Sequence, residues 1–297
     1  MQRPLGRNMV VDVSYVGSKG TNLISSRDIN QPLLGAGSVA SRRPYQGWGN
    51  ITQAERAQAS SFHSMQSKFE RRFSAGLTFV SAYTWSHALS DGDPGGTGTG
   101  GTQNSYDLRA EKGNASYDIR HRLVNSFSYE LPFGADKHWL RGVSGFAGKL
   151  IGGWQVAGIA TFSTGQSFTP TVSGDIAQIG ANSVRPNRVG DGNLPHGQRT
   201  AARWFDTSAF TVPASGTFGN SGRAVLKAPG LNNWDLTLLK STHFGENRRT
   251  EFRAEFFNLF NHPNFNLPNG TVNSQAFGTI TQAKDARQIQ LGLKLYF

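Results

Sequence analysis

Gln288-Ile289-Gln290-Leu291-Gly292-Leu293-Lys294-Leu295-Tyr296-Phe297 closes the sequence and decides how the rest is read. Ile289, Leu291, Leu293, Leu295 and Phe297 fall on one side of an extended chain. Gln288, Gln290, Gly292, Lys294 and Tyr296 fall on the other. Side chains of a strand alternate between its two faces, so this segment has one apolar and one polar face.

Working outward, the same period of two recurs in eight segments, roughly 9–16, 61–73, 77–88, 119–133, 154–169, 234–244, 250–261 and 287–297. Trp234, Leu236 and Leu238 oppose Asp235 and Thr237. Leu123, Phe127, Tyr129 and Leu131 oppose Arg122, Ser126, Ser128 and Glu130. Leu77, Phe79, Tyr83 and Trp85 form a further stripe. Helical periodicity is hard to find, and the fold class expected is all-β and antiparallel.

The connections separate a soluble sandwich from a membrane barrel. The turns at 73–76 and 245–248 are tight, whereas 17–60, 89–118, 170–233 and 262–286 are long and rich in Gly, Pro, Asn and Ser. Short and long connections alternate, the nominally short one at 134–153 being of medium length. Outer-membrane barrels have this asymmetry, with short turns in the periplasm and long loops outside. If the last strand ends in the periplasm, eight strands counted backwards put every long loop on the outside. The expected architecture is an antiparallel transmembrane β-barrel portion of about eight strands, a partial or curved open barrel.

Composition is compatible with this. Hydrophobic residues make up 37% of the 297, yet there are 20 Phe, 7 Tyr and 6 Trp, too many aromatics for a disordered chain. No run approaches the roughly 18 apolar residues of a membrane helix, whereas barrel strands need only about 9–11 alternating ones. Cysteine is absent, which leans toward an exported protein without disulfides. The start, Met1-Gln2-Arg3-Pro4-Leu5-Gly6, has no apolar signal region, so an internal piece of a longer exported chain is expected. The net charge of +11 admits nucleic acid, anionic lipid or lipopolysaccharide phosphate. Arg and Lys are dispersed through loops and strand ends, which argues against nucleic acid.

Candidate chemistry is sparse. The run Gly92-Asp93-Pro94-Gly95-Gly96-Thr97-Gly98-Thr99-Gly100-Gly101 lacks the Gly-Lys-Ser/Thr ending of a phosphate loop and reads as an external loop. His63, His87, His121, His138, His196, His243 and His262 are scattered, with no zinc spacing. Asp91, Asp93 and Asp107 share one loop but do not meet the calcium-loop pattern. Ser86, His87 and Asp91 supply the residue types of a hydrolase, but Ser86 and His87 are adjacent and point to opposite faces. No catalytic residue, cofactor or metal is expected. Tyr83, Trp85, Tyr129, Trp154 and Tyr296 lie near strand ends, where aromatic girdles meet membrane interfaces.

The sequence also resembles a known family. Arg253-Ala254-Glu255-Phe256-Phe257-Asn258-Leu259-Phe260-Asn261-His262-Pro263-Asn264-Phe265 is similar to the penultimate strand of TonB-dependent transporters, nearest to the Oar-like receptors of acidobacteria. Tyr15-Val16-Gly17-Ser18-Lys19-Gly20, Tyr83-Thr84-Trp85-Ser86, Glu130-Leu131-Pro132-Phe133-Gly134, Gly152-Gly153-Trp154-Gln155 and Phe218-Gly219-Asn220-Ser221-Gly222-Arg223 agree in the same order. The resemblance implies a barrel of about 22 strands around a plug, with a carboxypeptidase-regulatory-like domain in front. It implies capture of solutes and energised uptake across the cell outer membrane, driven by the TonB complex through a TonB box.

Plug, TonB box and leading domain do not occur in 1–297, which would then be the C-terminal segment of such a barrel. The resemblance further implies that Ile289, Leu291, Leu293, Leu295, Tyr296 and Phe297 form the signal read by the barrel-assembly machinery. Outer-membrane lipid and lipopolysaccharide are the other expected partners. In isolation the strands at 9–16 and 287–297 would be open edges. The alternative is a small surface barrel displaying adhesive loops, without transport.

Overall fold

The structure, a computed structural model, describes residues 1–6, 8–92, 102–134, 137–245 and 248–297. The eight alternating segments all become strands: β1 (Met9–Asp28), β2 (Thr52–Ser74), β3 (Leu77–Ser90), β4 (His121–Glu130), β5 (Trp154–Ser163), β6 (Leu231–Phe244), β7 (Arg248–Phe257) and β8 (Gln288–Tyr296). Each pairs antiparallel with the next in sequence. With two short pieces, Gln2–Pro4 and Gly113–Asn114, they make one ten-stranded sheet. Among the described residues its first and last strands do not pair, so the sheet is open.

Several boundaries differ from the sequence reading: 119–133, 154–169 and 250–261 give shorter strands that end at Glu130, Ser163 and Phe257, the chain beyond them joining the connections, and two strands are longer. β1 and β2 run 20 and 23 residues, well past 9–16 and 61–73. Their extensions read as loop because Gly17, Ser18, Gly20, Thr21 and Ser60 give no apolar face, yet they pair with each other almost throughout. The first edge also differs: Gln2–Pro4 folds back on β1, with Gln2 opposite Asp12, so the edge is this short piece. The final edge is β8, as expected.

Cross-strand partners share a face, so the register assigns every side chain. One face carries Val11, Phe69, Phe79, Phe127, Val156, Leu236, Phe252 and Leu291. On β8 this stripe is bare: Ile289, Leu291, Leu293 and Leu295 are 56–68% exposed. A water-soluble sheet would cover such a row, and a lipid-facing one leaves it open. The opposite face is polar. There Glu251 sits 3.1 Å from Arg253 and accepts from the Tyr296 hydroxyl at 3.3 Å, while Arg249 stacks on the Tyr296 ring. Tyr296 therefore stands on the polar face, away from the aromatic stripe with which its position near a strand end had grouped it.

Two glycines are required by geometry. In the β2–β3 turn Ala75 and Gly76 both have positive φ (52° and 81°), the type I′ turn that suits the twist of a hairpin. Gly158 lies opposite Phe127, and a Cβ there would come within 2.8 Å of the Phe127 ring.

The buried apolar core lies in the long connections. Phe168, Phe205, Ala209, Phe210, Leu226 and Ala228 cluster with Trp204, Val225, Val272 and Phe277. Val172, Ala177, Ile179 and Val184 form a second cluster that shares Val272. All these residues belong to 164–230 and 258–287. The loops are thus packed layers, whereas the buried apolar residues of the strands are the alanines 88, 160 and 254. The medium connection after β4 holds a short helix that the sequence reading missed, α1 (Gly145–Ile151).

Candidate functional site

The long connections converge at one end of the sheet and are joined by buried polar side chains. Gln31 receives the Ser105 amide at 2.6 Å and donates to the Gln103 carbonyl at 3.0 Å. Gln103 in turn accepts from the Arg185 amide at 2.6 Å and donates to the Gly219 carbonyl at 3.2 Å. Glu111 and Arg185, nearly inaccessible to solvent, pair at 2.7 Å. Arg223, inside the Phe218–Arg223 motif, donates to the Glu111 carbonyl and to the Ser90 hydroxyl, both at 2.8 Å. Three connections distant in sequence are thereby tied to the end of β3. Asn30 closes its own loop through the Gly49 and Tyr45 carbonyls.

A second chain of contacts lies beneath. Lys227 donates to the Ser167 hydroxyl at 2.6 Å and lies 3.9 Å from the fully buried Asp118. Burial holds the Lys227 ammonium below the usual lysine range, with Asp118 pulling the other way. Asn114 links Ser167 at 3.0 Å to His87 at 3.1 Å.

Beside this layer, against the extended part of β1 and β2, is a cavity of about 380 Å3, within the range of small-molecule sites. Ser25, Arg27, Glu55, Gln58, Arg109 and Lys112 line it. Its two central charges are aimed by paired bulges. Between Gly20 and Leu23, β1 advances three residues while β2 moves from Ser60 to Gln58. The next step, Leu23 to Ile24, spans Gln58 to Arg56 on β2.

Each bulge reverses the side-chain alternation of one strand, so Arg27 and Glu55 face the loops with Ser60 and Ser90. Arg27 bonds Glu55 at 2.9 Å and the Ser105 carbonyl at 3.2 Å. The Arg27 Nε and Glu55 Oε1 atoms are buried with no hydrogen-bond partner among the described residues. A wider depression of about 600 Å3 lies on the polar face, between the ends of β4 to β6 and the segment near Gln282 and Lys284.

The sequence candidates are placed as follows. Tyr83, Trp85, Tyr129 and Trp154 stand on the apolar face. Tyr129 and Trp154 lie at the short-turn end, and Tyr83 and Trp85 toward the long loops. The Tyr83 hydroxyl contacts the His121 ring at 2.8 Å, a geometry repeated by Tyr15 and His63 at 2.6 Å. Ser86 donates to the Ile119 carbonyl at 2.7 Å while His87 meets Asn114, so the pair diverges to opposite faces. Among the described residues no three His, Asp or Glu side chains group to hold a metal. Asp93 and the rest of the glycine run beyond Gly92 lie outside the described residues. The lining pair Arg27 and Glu55, the amides Asn30 and Gln31 and the Glu111–Arg185 pair carried no sequence signal. They lie in stretches with no motif of their own, and the bulges and loop packing bring them together.

A family profile described as an outer membrane beta barrel domain matches residues 1–290. No curated protein sequence matches the chain. Among solved structures, the outer membrane transporter YddB from Escherichia coli aligns over all of this chain at 12% identity with a TM-score of 0.48. The chain spans 31% of that protein's length.

Proposed function

This chain belongs to the outer membrane β-barrel domain family and resides in the outer membrane, and from that premise we propose that it serves solute capture and energised uptake in the manner of TonB-dependent, Oar-like receptors. The observation that carries this reading is the packed layer of long loops with its charge-lined cavity, set on a sheet whose other face is apolar. A membrane wall alone needs no buried Glu111–Arg185 pair and no bulges that turn Arg27 and Glu55 toward a cavity. The site binds and carries no reaction. Lipid covers the apolar face, cations of the long loops face lipopolysaccharide phosphate, and the barrel-assembly machinery reads β8. Energy enters from the TonB complex through a part of the receptor outside 1–297.

Deleting the gene and comparing growth on oligosaccharides, peptides and metal chelates as sole sources tests the proposal. Loss of growth on one class, reproduced in the parent strain by collapsing the inner-membrane proton gradient, is the expected result. Uptake that survives gradient collapse rules out the energised mechanism. Unchanged growth with lost surface adhesion favours the displayed-loop alternative.

The membrane-facing assignment has its own check. Leu236 and Thr237 are neighbours on β6 but face opposite ways. A cation on the lipid side near mid-strand costs about 2–4 kcal/mol, whereas one on the inner side is tolerated. Leu236→Arg should sharply lower the yield of heat-modifiable, membrane-inserted protein, and Thr237→Arg should leave it near the parent level. Equal yields would contradict the face assignment.

A further inference from the structure

The helix α1 and the segment leading to it stand apart from the loop layer. They connect β4 to β5 at the end that also carries the Ala75-Gly76 turn, which is the periplasmic end of a barrel whose long loops lie outside. The helix is held against the apolar face. The Trp154 indole donates to the Leu150 carbonyl at 3.0 Å, and the Lys240 ammonium donates to the Lys149 and Gly152 carbonyls at 2.7 and 2.5 Å. The Lys149 ammonium lies 5.0 Å from the centre of the Phe244 ring. Trp154 and Lys240 are cross-strand partners on the face that carries Leu236 and Leu238, and Phe244 continues it.

What α1 turns away from the sheet is apolar. Phe146 and Leu150, one helical turn apart, are 83% and 59% exposed, and Trp139 and Leu140 before the helix are about half exposed. Lys137, Arg141 and Lys149 flank them, and 137–153 contains no acidic residue. A short helix with large apolar side chains beside cations suits the boundary between acyl chains and anionic headgroups.

We propose that α1 is an interfacial anchor that seats the barrel in the periplasmic leaflet, with Trp139, Leu140, Phe146 and Leu150 in the acyl boundary and Arg141 and Lys149 on anionic phospholipid headgroups. A lipid occupant is favoured because the patch continues the apolar face at the level where the strands leave the membrane. The covered side of the helix already rests on that face.

The chain has no cysteine, so single-cysteine nitroxide labels report without background. Phe146→Cys, Leu150→Cys, Leu293→Cys on the bare stripe of β8 and Ser215→Cys on a long loop would be reconstituted separately into phosphatidylcholine vesicles with and without phosphatidylglycerol. The 146 and 150 labels should be several-fold more accessible to oxygen than to a water-soluble nickel chelate, as at 293 and unlike 215. The bias should grow with phosphatidylglycerol and lose that dependence in Arg141→Glu/Lys149→Glu. Water-like accessibility at 146 and 150 with a lipid-like label at 293 overturns the anchor and leaves the patch to a protein partner. A water-like label at 293 removes the lipid-facing assignment of the sheet, and the anchor with it.

Discussion

Replacing Glu111 with alanine should destabilise the outer-loop layer by about 3–5 kcal/mol, because it leaves the Arg185 guanidinium buried without its counter-ion. Both side chains are less than a tenth exposed and meet at 2.7 Å. Arg185 also takes its backbone position from Gln103, and Gln103 is tied to Gln31. A loss at Glu111 therefore spreads to the connections at 29–51 and 164–230. Hydrogen exchange would show it as faster exchange at Ser105 and Arg185, with the amides between β3 and β4 unchanged.

Replacing both charges by apolar residues of similar volume, Glu111→Leu with Arg185→Met, should recover most of the loss, since an apolar pair leaves no uncompensated buried charge. A double variant as unstable as the single one would show that the contact is not an energetic unit. Cavity binding is coupled to the same layer. Ser105 accepts from Arg27 at its carbonyl, so loosening Glu111 should weaken whatever the Arg27–Glu55 cavity binds.

How much was legible in the sequence follows from where each residue's partner lies. The last strand was legible because its two faces meet different solvents, and the difference is written at every second residue from Ile289 to Phe297. The same holds for β6, where Trp234, Leu236 and Leu238 alternate with Asp235 and Thr237. The far halves of β1 and β2 were illegible for the converse reason. Past Gly17 they rise above the apolar band and pair with polar residues on both faces, so backbone pairing persists without a hydrophobic period.

The loop core was missed because Phe168 reads as the end of the strand segment 154–169, while Trp204, Phe205, Phe210 and Phe277 fall in stretches without a period of two. Four separate segments supply one cluster, and no local period records a contact of such long range. α1 spans seven residues, too few turns for an amphipathic pattern to stand out. The cavity depended on two bulges, whose effect is to exchange faces. A strict alternation drawn through Leu23 and Gln58 would have placed Arg27 and Glu55 on the wrong side of the sheet.

Phe205→Ala should have an effect as large as that of Glu111→Ala, by a different route, and should reveal the loop layer as a cooperative unit of its own. The Phe205 ring is 1% exposed and meets Phe277 edge-on at 5.1 Å, Phe168 at 6.0 Å and Phe210 at 6.2 Å. Truncation opens a cavity that these rings cannot close, because Gly192 and Gly278 bring backbone against the cluster and hold its walls. The expected cost is about 3–5 kcal/mol. Truncating Phe127 on the apolar face should cost less, since acyl chains would refill the space left beside Gly158.

In a thermal scan of the reconstituted protein, Phe205→Ala should lower the temperature at which the loops become sensitive to protease. The sheet's circular dichroism should melt at its original temperature. Separate melting follows from the division of contacts: the strands are held by a continuous backbone ladder from Gln2 to Tyr296, the loops by buried side chains and by short backbone pairings of their own, such as those between Val172 and Val184 and between Leu226 and Phe168. A variant in which loop cleavage and loss of sheet signal fall together would show one cooperative structure, with the capture layer unable to rearrange without the wall.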